Sequence, residues 1–113
     1  MAARYYISLP DPAKARGGKE FSFTSNSAEG LAAELQDALR SDGLFERWRA
    51  AQDDPDGVDP ALGATDPAAA VTGQQDDLHV DLIATTSIPG SVFKHRLRLL
   101  AGSAWELRDV SAA

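Results

Sequence analysis

Residues 78–110 read LHVDLIATTSIPGSVFKHRLRLLAGSAWELRDV, and the parsing of this stretch decides the fold. Leu78, Val80, Leu82 and Ala84 alternate with His79, Asp81, Ile83 and Thr85, which is the period of a strand with one buried face. Ser87-Ile88-Pro89-Gly90 predicts a turn, since Pro and Gly suit the two central positions of a type II turn. Phe93, His95, Leu97 and Leu99 then alternate with Val92, Lys94, Arg96 and Arg98. Ala101-Gly102-Ser103 turns again, and Trp105 and Leu107 alternate with Glu106 and Arg108. The pattern predicts a three-stranded antiparallel meander that ends near Val110.

Towards the N-terminus the same period returns. Tyr5, Ile7 and Leu9 alternate with Arg4, Tyr6 and Ser8, and Pro10 and Pro12 end the strand because proline cannot donate to a ladder. After the loop at residues 10–19, Lys19 to Thr24 predicts a second short strand with Phe21 and Phe23 on one face. Residues 25–52 change to helical spacing. Leu31, Leu35 and Leu39 recur every four residues, with Glu34, Asp37 and Arg40 off the stripe. Asn26 with Glu29 fits a capping box, with Ser25 or Ser27 as alternative caps. Gly43 breaks the pattern, and Leu44, Phe45, Trp48 and Ala51 resume it. The expected fold class is therefore α+β. It is a single domain over 1–113 in the order β-β-α-β-β-β, an antiparallel sheet with one kinked helix (or two short helices) packed on one face.

Between the helical part and the meander lies DDPDGVDPALGATDPAAAVTGQQDD, residues 53–77. It holds seven Asp, three Pro and three Gly, with no aromatic, Lys or Arg. So little apolar area cannot offset much ordering entropy, and the stretch reads as a mobile acidic loop. Asp59-Pro60 and Asp66-Pro67 could each start one helical turn, Asp capping and Pro at the first position. This segment also explains the net charge of -6. Outside it, 11 bases face 10 acids, so the rest of the chain is nearly neutral.

Several chemistries are weakly supported or excluded. The chain has no Cys, which removes disulfides, thiolate metal sites and Cys nucleophiles. Arg16-Gly17-Gly18-Lys19-Glu20 lacks the early Gly and the Ser or Thr of a phosphate loop. Residues 52–63 place Gly63 where a calcium loop needs a bidentate Glu. His79 and His95 lie on different predicted strands without metal-ligand spacing, and His95 falls on the apolar phase. Asp81 with Glu106-Leu107-Arg108 faintly suggests a metal-dependent nuclease pair, but cross-strand charge partners are the simpler reading. No Gly-x-Ser-x-Gly elbow occurs. Nothing calls for a cofactor, and no segment matches a motif specific enough to name a family.

Lys94, Arg96 and Arg98 carry the functional expectation. On a strand they would project from one sheet face at ~7 Å intervals, joined by Arg108 from the next strand. Such a cationic face, or an exposed strand edge, suits docking of an acidic protein or phosphate-bearing ligand, or self-association. The expectation is a non-catalytic interaction module with a protein partner. A ligand-binding domain or enzyme with residues 53–77 as a lid is one alternative. Weak nucleic-acid binding through the basic strand is another, disfavoured because Tyr6 alone could serve as a stacking platform. No secretory signal or apolar run of membrane-spanning length is visible, so the expected location is cytoplasmic with no membrane association.

Overall fold

The computed structural model describes residues 2–16 and 20–113. Strand β1 (Ala3–Leu9) is followed by a single helical turn, α1 (Pro12–Ala15), and then by helices α2 (Ala28–Arg40) and α3 (Gly43–Ala50). Two 3-10 turns at Pro55–Gly57 and Pro60–Gly63 lead into β2 (Ala70–Asp76) and β3 (His79–Thr86). Helix α4 (Gly90–Ala101) and β4 (Glu106–Ala112) complete the chain. The four strands form one antiparallel sheet in the order β2-β3-β1-β4. The class is α+β, as the sequence implies. The main elements run β-α-β-β-α-β, two split β-α-β units in series, a connectivity of the ferredoxin-like type. No helix among the described residues is long and apolar enough to cross a membrane.

Two of the expected strands are corrected. The stretch 92–99 is not the middle strand of a meander but the body of α4, with Val92, Phe93, Arg96, Leu97, Leu100 and Ala101 buried. These positions follow a helical stripe rather than alternation. Pro89-Gly90 opens the helix instead of turning a hairpin, and the Pro89 carbonyl accepts the Phe93 N–H at 2.9 Å. Gly102, at φ 59°, ends it in the left-handed region that favours glycine.

The expected strand Lys19–Thr24 begins at a residue outside those described, and residues 20–24 form no ladder. Both sides of β1 are already taken by β3 and β4. The backbone donors here find other partners. Phe23 N–H donates to the Leu100 carbonyl at 2.9 Å. Thr24 and Ser25 N–H donate to the Glu34 carboxylate at 3.0 and 2.7 Å.

The helical reading of 25–52 holds, with the break at Gly43 and with Ser27 as the N-cap, accepting from Gly30 N–H at 3.0 Å. Residues 53–77, expected as a mobile acidic loop, are corrected in their last third, where Ala70–Asp76 form an edge strand, β2. The Asp59-Pro60 turn forms, and Asp59 Oδ1 accepts from Ala61 N–H at 2.9 Å.

The core lies between the sheet and the helix layer. Tyr5, Ile7, Leu9, Val80, Leu82 and Ala84 from the sheet meet Leu31, Leu35 and Leu39 from α2 and Phe93 and Leu97 from α4. Tyr5 and Phe93 stack with ring centroids 4.2 Å apart, which seats α4 over β1. Helix α2 crosses β2 so closely that a Cβ at Gly73 would collide with the Ala28 carbonyl.

Candidate functional site

The helices cover one face of the sheet, and strand pleating sends alternate residues to the other. Register fixes what that outer face presents. One row across the sheet is Thr72, Ile83, Tyr6 and Asp109; the next is Gln74, Asp81, Ser8 and Glu106, with Ser8 buried between its neighbours. Asp76 faces His79 where the β2–β3 hairpin closes, and Arg4 lies beside Thr85. Tyr6 and Ile83 are thus neighbours at the centre. They help to line a shallow depression of about 420 Å³ with Gln74, His79, Asp81 and Arg108. Asp76, Asp81, Glu106 and Asp109 share the face with the fixed cations Arg4 and Arg108. Arg108 is further neutralised by Glu106, at 3.2 Å.

Both strand edges carry polar closures. On β2, Gln36 Oε1 accepts the Val71 N–H at 3.1 Å, and Arg40 Nε donates to the Ala69 carbonyl at 2.7 Å. On β4 the register against β1 slips between Tyr6 and Ile7, leaving Arg108 as a bulge, and Asp109 Oδ1 accepts the Val110 N–H at 2.9 Å. Bulges, charges and covering helices are the devices by which edge strands avoid pairing with other chains.

The four residues expected to form a cationic face are not brought together. Lys94 and Arg98 lie one turn apart on α4, within the helix layer. Arg108 is on β4, at the outer sheet face. Arg96 has no solvent exposure at all. Its guanidinium donates to the Ala38 carbonyl in the last turn of α2 and to the carbonyls of Leu62 and Ala64, at 2.8 and 2.9 Å. Burial pushes its pKa down, and Asp42 partly opposes this. Arginine nonetheless stays charged, held by carbonyls and by the negative end of the α2 dipole.

Asp66 is the second buried polar anchor. Its carboxylate accepts from Thr86 Oγ1 and Ser87 N–H, both at 2.9 Å, and from Ala68 N–H at 3.0 Å. The Ser87 N–H bond is the main cause that holds its pKa below the ordinary value, against a smaller opposing effect of burial. Asp66 N–H also donates to the Leu39 carbonyl at 2.8 Å. The acidic segment is therefore tied at its middle to α2 and to the end of β3. His95 is half-buried and meets Trp48 edge-on, with centroids 4.6 Å apart. Its Nδ1 finds no hydrogen-bond partner among the described residues. Burial lowers its pKa, with help from Arg98 and Arg96.

One grouping was not expected from the sequence. Asp76, His79 and Asp81 converge on the outer face at the hairpin end, with His79 Nε2 3.7 and 3.4 Å from the two carboxylates. Strand pairing brings Asp76 to His79, so the grouping depends on recognising β2. Asp81 and Glu106 flank Ser8 from opposite strands, with all of β1 between them. No family model, no curated protein and no solved structure matches this chain. The ferredoxin-like connectivity thus describes strand order and implies nothing about kinship or activity.

Proposed function

We propose that the protein is a binding module that takes a basic segment of a partner protein on the outer face of its sheet. One observation carries this reading. The face left uncovered by the helices sets Tyr6 beside Ile83 at its centre, within a rim richer in carboxylates than in fixed cations. An aromatic and an aliphatic anchor surrounded by charge is the pattern of a protein interface. The sign of the rim selects a Lys- or Arg-bearing partner rather than an acidic one. Arg96 is withdrawn from any docking role by its burial, and the closed edges disfavour strand addition.

The test is site-specific photo-crosslinking in cells. A benzophenone amino acid at position 6 reports on the sheet face, and one at the exposed position 33 of α2 reports on the helix side. We expect one protein partner to be captured from position 6 and not from position 33. Rebinding of that purified partner should weaken at least ~10-fold in Asp81→Lys/Asp109→Lys and persist in Lys94→Glu/Arg98→Glu. Capture from position 33 alone, or loss of binding only in the α4 variant, would move the interface to the helix layer and overturn the reading. Capture of a second copy of this chain from position 6 would equally replace the basic partner with self-association.

A further inference from the structure

We propose that the tip of the β2–β3 hairpin binds a divalent transition-metal ion of the zinc class, with His79 Nε2 and the carboxylates of Asp76 and Asp81 as ligands. The proposal does not rest on the partner reading above. The backbone brings the donors together. Asp76 and His79 are the last pair of the ladder, and Asp81 lies two residues along β3 on the same face. One ligand atom from each of the three lies within 4.8 Å of the others. Nε2 is 3.4 Å from the Asp81 carboxylate and 3.7 Å from that of Asp76. Zinc bonds of roughly 2.0–2.2 Å place neighbouring donors roughly 3–3.5 Å apart. Small side-chain rotations therefore convert the observed arrangement into a coordination shell.

The surroundings favour the ion. The turn between the strands is braced by Gln75 Nε2, which donates to the Asp77 carbonyl at 2.8 Å and to the His79 carbonyl at 3.1 Å. Among the described residues, no Lys or Arg forms an ion pair with Asp76 or Asp81. Arg108, in the same depression, is engaged by Glu106. Two carboxylates this close repel each other, and a dication relieves that repulsion while using the imidazole as a third donor. One nitrogen and two oxygens suit zinc, cobalt or manganese. Calcium and magnesium instead take all-oxygen shells of six or more ligands. Three protein donors leave a coordination position open, and two of them, His79 and Asp81, also line the depression that holds Tyr6.

The experiment is a zinc titration of the chelator-treated full chain by calorimetry, with the imidazole nitrogens followed by NMR. We expect one ion per chain, a large shift of the His79 ring nitrogens and an unchanged His95. Affinity should fall at least ~10-fold in His79→Ala and in Asp76→Asn/Asp81→Asn. It should be retained in His95→Gln, which keeps both carboxylates and His79. Magnesium and calcium should give no saturable heat. Ligand replacements at this exposed hairpin should leave the fold intact, which far-ultraviolet circular dichroism verifies. Absence of saturable zinc binding, or undiminished binding by a folded His79→Ala protein, would overturn the proposal.

Discussion

Arg96 shows what a single residue decides. It lies on α4 between Lys94 and Arg98, yet only Arg96 points inward and is fully buried. Its three carbonyl acceptors belong to two separate stretches, the end of α2 and the turn near Leu62. Removing the guanidinium strands those acceptors in the interior at about 1–3 kcal/mol each. Arg96→Met should therefore destabilise the protein by at least ~3 kcal/mol, read as a lower urea midpoint at constant m-value. Arg96→Lys should fall between the two, since one ammonium cannot reproduce the planar fork. Lys94→Glu and Arg98→Glu, at positions not fully buried, should stay within about 0.5 kcal/mol of the parent. The sequence alone cannot separate these three cations, because which one is buried depends on whether the segment has period two or period 3.6. Asp66 was more legible. The Asp-Pro signal announces a turn there, but the Thr86 and Ser87 contacts across the fold have no local trace.

At the scale of elements, α2 and α3 are readable because Leu31, Leu35 and Leu39 together with Ala28, Ala32 and Ala38 form an i, i+3, i+4 stripe that mixes odd and even positions, and Gly43 marks the break. Helix α4 is not, because VFKHRLRLLA satisfies both periods at once. What separates them is composition: the stretch holds one β-branched residue and many Leu, Arg and Lys, all good helix formers. Strand β2 was hidden for the opposite reason. Of the inward positions Val71, Gly73 and Gln75, only Val71 is a large apolar residue, so AVTGQQD shows no alternation. Gly73 is the mark of its packing. Gly73→Ala would press a methyl group against the Ala28 backbone of α2, which has no flexible end to yield. We expect a loss of about 1–3 kcal/mol and a clearly lower melting temperature, measured by calorimetry. An unchanged melting temperature would mean that α2 shifts outward freely. The site is hidden for the same reason, since the outer face and the Asp76–His79–Asp81 grouping follow from strand pairing between β2 and β3 that no local period announces.

Across the whole molecule, the acid response follows from two anchors on different parts of the fold. His95 has a folded-state pKa below its ordinary value near 6.5, because burial disfavours the imidazolium and Arg98 and Arg96 repel it. The unfolded chain therefore binds a proton first, and stability is greatest above the unfolded value and declines as pH falls from about 6.5 towards the folded pKa. Asp66 has a folded-state pKa below its ordinary value of 3.8, because the Ser87 N–H bond leads the contacts that stabilise the carboxylate. Its contribution is complete above the unfolded value and is lost as pH falls through the still lower folded one. Both effects destabilise on acidification, the His95 loss setting in below about 6.5 and the Asp66 loss only below about 3.8, so the free energy of unfolding should fall in two stages. Denaturation at a series of pH values from about 8 to about 2.5 measures this profile. His95→Gln should flatten the upper stage and leave the lower, while Asp66→Asn should remove the lower and leave the upper. Asp66 ties the acidic segment to α2 and β3, so Asp66→Asn should also release residues 64–69. That release should speed amide exchange at position 66 and at Ala69, whose N–H groups donate to the Leu39 carbonyl and to the carbonyl of residue 66. A single acid transition insensitive to either substitution would show that neither anchor governs stability and that diffuse surface charge does.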